Sequence, residues 1–187
     1  GIDDFDTELK QLEVANKLNE DHHVDVVSTF MGAHAVPKDY IDNPDEFVDI
    51  IIKDMIPEVA RRKLARFCDV FCEEGVFTID QSRKILLAAR EYGMEPKLHA
   101  DEIEPLGGAE LSAEIGCITA DHLIAASDIG IEQMAKSGVI ANLLPGTSFN
   151  LQTGKFARAR KMMEAGVPIA LSTDYNPGSC PTENLQL

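Results

Sequence analysis

Six short, mostly apolar runs punctuate this chain, and longer amphipathic stretches separate them. The runs fall at residues 24–30, 67–72, 96–99, 117–122, 139–144 and 168–173. A strand covered on both faces reads as a continuous apolar run, so the pattern predicts parallel strands sheltered by helices. The stretches between them carry helix punctuation. Within residues 7–19, Leu9, Leu12, Ala15 and Leu18 share one stripe. Asn43-Pro44 offers a cap followed by a proline at the first helical position, and Pro57 restarts the helix. Thr78 and Gln81 have capping-box spacing, with Gly93 closing that helix. Residues 127–138 and 155–166 repeat the sequence of polar start, apolar stripe and glycine stop.

Strands alternating with helices through short loops imply right-handed βαβ units and a parallel sheet. Six strands suit either a doubly wound sheet or three quarters of a (β/α)8 barrel. No G-x-G-x-x-G follows any strand, so dinucleotide binding has no support. The placement of polar residues favours the barrel, whose active sites gather at the carboxyl ends of strands. Of five histidines, three fall at such ends: His34, His99 and His122. The sixth run leads into Asp174, and the segment from Asp69 ends at Glu74.

Imidazole and carboxylate groups from separate strands can converge on one metal ion, with zinc or iron best suited to that donor set. Glu102, three residues beyond His99, could face the same pocket as acid, base or hydrogen-bond partner. Each of these residues taken singly reads as structural, and Asp174 to Gly178 reads equally as a turn. The recurrence of such residues at strand ends is what points to a site. Residues 143–150 fit either an ordinary loop or a substrate wall. Asn176 to Ser179 offer an amide, free backbone N–H groups and a hydroxyl, a cradle for a carboxylate. His22 and His23 follow a charged helix end and read as solvated.

Length and composition bound the rest. The 187 residues, 44% hydrophobic, can bury a core within one domain, residues 1–187. A formal net charge of −15 leaves no basic stripe for nucleic acid. No apolar run is long enough for a bilayer and no signal peptide opens the chain, so a cytoplasmic protein is the expectation. Cys68, Cys72, Cys117 and Cys180 lack C-x-x-C spacing and read as reduced thiols. The start at Gly1 and the helix-like opening at 181–187 suggest a fragment.

At these residues the chain resembles the imidazolonepropionases of the metal-dependent amidohydrolase superfamily. The resemblance rests on residues 28–37, 69–77, 97–102, 120–123 and 170–179, and runs essentially from end to end. A histidine, a second histidine and an aspartate on successive strands are generic to the superfamily. Gly-Ala-His-Ala-Val-Pro at 32–37 and Ser-Thr-Asp-Tyr-Asn-Pro-Gly-Ser at 172–179 are more specific.

The resemblance implies a partial TIM barrel holding about strands three to eight, and hydrolysis of 4-imidazolone-5-propanoate to N-formimidoyl-L-glutamate. It implies one zinc or iron ion, held in part by His99 and Asp174. Glu102 would contact substrate and take part in catalysis, and His122 would stand near the attacking water. His34, Asn176, Gly178 and Ser179 would bind substrate. A homodimer is a further expectation. The family's remaining two ligands form a His-x-His pair, which these residues do not contain, so the isolated chain is expected to be inactive. A tyrosine of the family would fall just ahead of Gly1. The competing readings are another cyclic amidohydrolase or deaminase, and a non-catalytic binding barrel.

Overall fold

A computed structural model of the chain describes residues 4–186, which divide into two compact units between Leu98 and His99. Gly1 and Leu187, on which the reading of the chain ends drew, lie outside the described residues.

The first unit opens with α1 (Phe5–Asp21), capped by Asp4, whose side chain accepts the Thr7 N–H. Next come β1 (Thr29–Ala33), a 3-10 turn at Lys38–Tyr40, α2 (Pro44–Ile50), α3 (Ile56–Arg61), β2 (Phe67–Cys72) and α4 (Ile79–Glu91). Strand β1 runs parallel to β2, with Thr29 opposite Phe67 and an irregularity between Phe30 and Ala33. The expected strand at 24–30 begins five residues late. Val24 and Val27 are more than half exposed (62% and 58%), and the Val26 N–H is taken by Asn19 Oδ1 at 2.7 Å. That bond ties Val26 to the end of α1, and bonding toward β2 begins only at the Ser28 carbonyl, which accepts the Arg66 N–H at 3.0 Å.

Between α2 and α3 the helix widens to a π segment, Ile51–Met55. Pro57 lacks the N–H that regular α-helical bonding would need there, and a wider turn accommodates the loss. Phe30, Ile51, Val70, Phe77, Ile85 and Leu98 are completely buried and form the unit's interior. The capping box expected at Thr78 and Gln81 is present in both directions.

Strand β3 (Glu95–Ala100) carries the chain from one unit into the other. Its Glu95 N–H bonds to the Arg66 carbonyl in the first unit. The second unit continues with α5 (Gly108–Ile115), β4 (Thr119–His122), α6 (Asp128–Ser137), β5 (Ile140–Leu143), α7 (Pro145–Asn150), α8 (Ala159–Ala165) and β6 (Ile169–Leu171). Strands β4, β5 and β6 pair in parallel in that order, with Asp121 opposite Asn142 and Leu143 opposite Leu171. Helices α5 and α6 approach closely at Gly130, where a Cβ would lie 2.7 Å from the Ala109 Cβ.

Two of these helices differ from the expectations. Residues 145–150, open between a loop and a wall, are helical, with Pro145 at the start. Helix α8 begins at Ala159 rather than near 155, because Thr153 Oγ1 bonds the backbone of Lys155 in a local turn. All four cysteines are buried free thiols.

Candidate active site

Strands β3 and β4 end in unusual backbone. Asp101, directly after β3, has φ +49°. His122, the last residue of β4, has φ +70°, and Leu123 follows at +58°. Asp174, after β6, has φ +55°. Left-handed backbone costs a residue with a Cβ about 1–3 kcal/mol, and such positions concentrate where function requires them.

The distortion at His122 has a geometric consequence. In a regular strand Asp121 and His122 would point to opposite faces. Because His122 leaves the strand conformation, both side chains come close to His99 at the end of β3. The His99 and His122 rings lie 5.2 Å apart between centroids. Asp121 offers a carboxylate oxygen within 4.8 Å of a His99 ring nitrogen. His99, Asp121 and His122 are buried (9%, 5% and 3% exposed), so their polar groups meet in low dielectric. Glu102 completes the group, its Oε1 standing 3.5 Å from His122 Nδ1.

The arrangement supplies an imidazole and a carboxylate for a cation, with a second imidazole and a second carboxylate beside them. Nitrogen and oxygen donors in this proximity fit a transition-metal ion. Asp121 was not singled out as a site residue from the sequence. The available signal was a carboxylate placed within an otherwise apolar strand, where burial without a partner would be costly.

The other expected residues are placed as follows. His34 follows β1 in the first unit, half-buried, with its ring stacked on Phe71 at 5.2 Å. The acid buried at the end of β2 is Glu73, whereas Glu74 is exposed. Asp174 accepts a hydrogen bond from Thr147 Oγ1 of α7 at 2.9 Å, so that carboxylate is tied to the helix after β5. Among the described residues, the donor atoms gathered near His99 include Asp121 and not Asp174.

The 176–179 loop differs from the expected open cradle. Asn176 Oδ1 accepts the N–H groups of Gly178 and Ser179 at 2.9 and 2.7 Å, and Asn176 Nδ2 donates to Ser179 Oγ at 2.7 Å. An asparagine readily closes such a turn with its own side chain, so these N–H groups are engaged rather than free.

A cavity of about 240 Å³ opens beside His122, with Leu143, Leu144, Pro145, Ser148 and Phe156 among its walls. The segment after β5 therefore forms a wall beside His122.

Comparison with solved structures defines the fold. Guanine deaminase from C. acetobutylicum superposes with a TM-score of 0.68, covering 95% of this chain and 45% of that one at 14% identity. The 5-methylcytosine deaminase from Klebsiella pneumoniae gives 0.67 over 92% and 47%, at 16% identity. An adenosine deaminase from Xanthomonas campestris with bound zinc gives 0.59 over 87% and 39%, at 17% identity. At this identity the likeness is one of fold. The chain has the α/β architecture of an amidohydrolase-type TIM barrel, in part, as the sequence led one to expect.

Sequence comparison narrows the class. The chain is 65% identical to the imidazolonepropionase of Alkaliphilus metalliredigens over 181 residues, 97% of this chain and 43% of that protein. It is 64% identical to that of Brevibacillus brevis over 183 residues, 98% of this chain and 43% of the relative. The expected resemblance to imidazolonepropionases thus holds along nearly the whole chain, which spans less than half the length of these curated relatives. No family model matches the chain.

Proposed function

We propose that the chain is part of a metal-dependent hydrolase that opens the ring of 4-imidazolone-5-propanoate to give N-formimidoyl-L-glutamate, a step of histidine degradation. One observation carries the reading. The stretch that aligns with an imidazolonepropionase at 65% identity, 97% of this chain, spans His99, Glu102 and His122, which stand together at the ends of β3 and β4.

His99 would hold the ion. The carboxylate ligand is Asp174 by resemblance, while Asp121 is the carboxylate whose oxygen lies near His99. Zinc has support from the bound metal of the adenosine deaminase structure, and iron suits the same donors. When bound, such an ion activates water near neutral pH and polarises a carbonyl oxygen.

The chain's own residues would do the rest. In ring opening, a water oxygen bonds to the ring carbonyl carbon, the adjacent carbon–nitrogen bond breaks, and the leaving nitrogen gains a proton. Asp174 would accept the water's proton and pass it on. His122 would orient the water and stabilise negative charge on the carbonyl oxygen, and Glu102 would hydrogen-bond the ring nitrogen side. His34, Asn176, Gly178 and Ser179 would hold the propionate and ring, provided the 176–179 turn exchanges its internal bonds for the ligand. Pairing of two copies is proposed on the resemblance alone.

The test uses a protein of its relatives' full length carrying this sequence, hereafter the full-length protein. Purified and metal-loaded, it should consume 4-imidazolone-5-propanoate in preference to a panel of cyclic ureas, cytosine and guanine. Preference for a panel member would instead favour another cyclic amidohydrolase or a deaminase, and no turnover of any would favour a binding barrel. The 187-residue chain alone should be inactive, since the family's His-x-His pair is not among its residues.

A further inference from the structure

The loop that carries Glu102 is fastened by the residue before it. Asp101 is fully buried directly after β3. Its Oδ1 accepts the N–H groups of Gly107 and Gly108, both at 2.9 Å, and its Oδ2 accepts that of Ala109 at 2.8 Å. Donors at a helix start have no partner within the helix, and a carboxylate beside them also meets the positive end of the helix dipole. The residue at the cap position of α5 is Gly107, whose hydrogen atom side chain cannot do this. Asp101 does it from six residues upstream, and so closes residues 102–106 into a loop with both ends held.

The same residue holds the neighbouring strand end. The Asp101 carbonyl accepts the Ala125 N–H at 2.8 Å, and the Ala100 carbonyl accepts that of Leu123 at 3.0 Å. The backbone leaving His122 is therefore suspended from the two residues that precede Glu102. Gly108 makes the junction tight, because a Cβ there would sit 2.8 Å from the Ala100 Cβ and 2.9 Å from its Cα. The start of α5 lies directly against the end of β3.

We infer that Asp101 is a positioning residue that sets the separation of Glu102 and His122. Its effect on turnover rests on the ring-opening reading above; its effect on the two loops does not. A plain helix cap would stabilise the protein without any particular bearing on those two side chains.

Two variants of the full-length protein separate these roles. Asp101→Asn keeps an oxygen for two of the donors and loses the third bond and the charge. Gly116→Ala strains the opposite end of α5, where φ is +72°. For Asp101→Asn, kcat should fall about 10- to 100-fold with KM changed by less than about threefold, the size of effect that misplacement of a reacting group produces. Amide hydrogen exchange should quicken at residues 102–106 and 123–125. Gly116→Ala should lower Tm while leaving kcat and exchange in those segments unchanged.

Losses of kcat that simply track Tm in both variants would overturn the inference, as would faster exchange in Asp101→Asn confined to 107–109. If Asp101→Asn fails to fold, Asp101→Glu, which keeps the charge but shifts it by one methylene, should give the same fall in kcat and the same quickened exchange; a wild-type kcat there would also overturn it. If the wild-type protein does not act on 4-imidazolone-5-propanoate, the functional reading fails, and exchange at 102–106 and 123–125 alone decides the role of Asp101.

Discussion

The turns that lead from helix into strand and the loops that lead from strand into helix treat left-handed backbone differently. Four of the former use glycine: Gly93, Gly116, Gly138 and Gly166 all have positive φ and stop α4, α5, α6 and α8. Glycine has no Cβ to clash in that region, so these stops carry no steric penalty. The loops after β3, β4 and β6 place Asp101, His122, Leu123 and Asp174 in the same region, where each bears strain. Lys63 after α3 and Gln152 after α7, both exposed, are the non-glycine residues in this region at helix stops among the described residues. The contrast teaches that the strand ends retain side chains for what those side chains touch, although glycine would be easier to accommodate there.

The sharpest way to break the contrast is to remove such a side chain. In the full-length protein, Asp174→Ala should reduce kcat/KM about 10³-fold, in the range that acid–base groups contribute, with Tm little changed. Asp121→Ala in parallel shows which carboxylate the metal needs, by metal content after dialysis. Near-normal turnover by Asp174→Ala would leave its strained backbone without a functional reason.

Leu123 tests the same contrast through packing. It is completely buried at φ +58°, so Leu123→Ala should lower stability by about 2–5 kcal/mol, read by urea unfolding. A loss below about 0.5 kcal/mol, as for an ordinary surface site, would mean that the side chain is not why the position is strained.

At a helix stop the effect should be smaller and confined to stability. Gly138→Ala places a Cβ at φ +78° and should cost about 1–2 kcal/mol with kcat unchanged. Loss of kcat there would erase the distinction between the two kinds of turn.

Much of this was legible in the sequence. Continuous apolar runs located β2 to its exact residues, and a capping box and glycine stops located α4 and α6. The runs failed where apolar residues served other ends. Val24 and Val26 are bonded to side chains at the end of α1, and β4 starts at Thr119 because Cys117 still donates to Ser112 of α5. Helix α5 went unread because its start has no capping residue nearby in sequence; Asp101 supplies that role from a distance. Among the residues gathered at the ends of β3 and β4, His99, Glu102 and His122 were readable as polar groups at strand ends. Asp121 was not, since strand alternation would send it away from His122, and only the left-handed backbone at His122 reverses that. The closed 176–179 turn was equally hidden, because an asparagine can either face a ligand or bond its own backbone.

The smallest expected effect lies outside both kinds of strand end. Exposed Asp128 receives hydrogen bonds from Lys161 and then Arg158, which hold its carboxyl pKa below the ordinary 3.8. A depressed folded-state pKa contributes stability above the unfolded value and loses it as pH falls through the folded one. Arg158→Ala should therefore lower Tm slightly at neutral pH, with the difference from wild type shrinking below about pH 4. A difference that grew in acid would reverse the sign of this interaction.

The most direct measurement is metal content and ring-opening rate on the same preparation of full-length protein, before and after chelation, for wild type and His99→Ala. The expected result is one zinc or iron per wild-type chain, turnover of 4-imidazolone-5-propanoate lost on chelation and restored by the metal, and neither metal nor turnover in His99→Ala. Full turnover by metal-free wild type, or undiminished metal and rate in His99→Ala, would contradict a metal-dependent site at the end of β3.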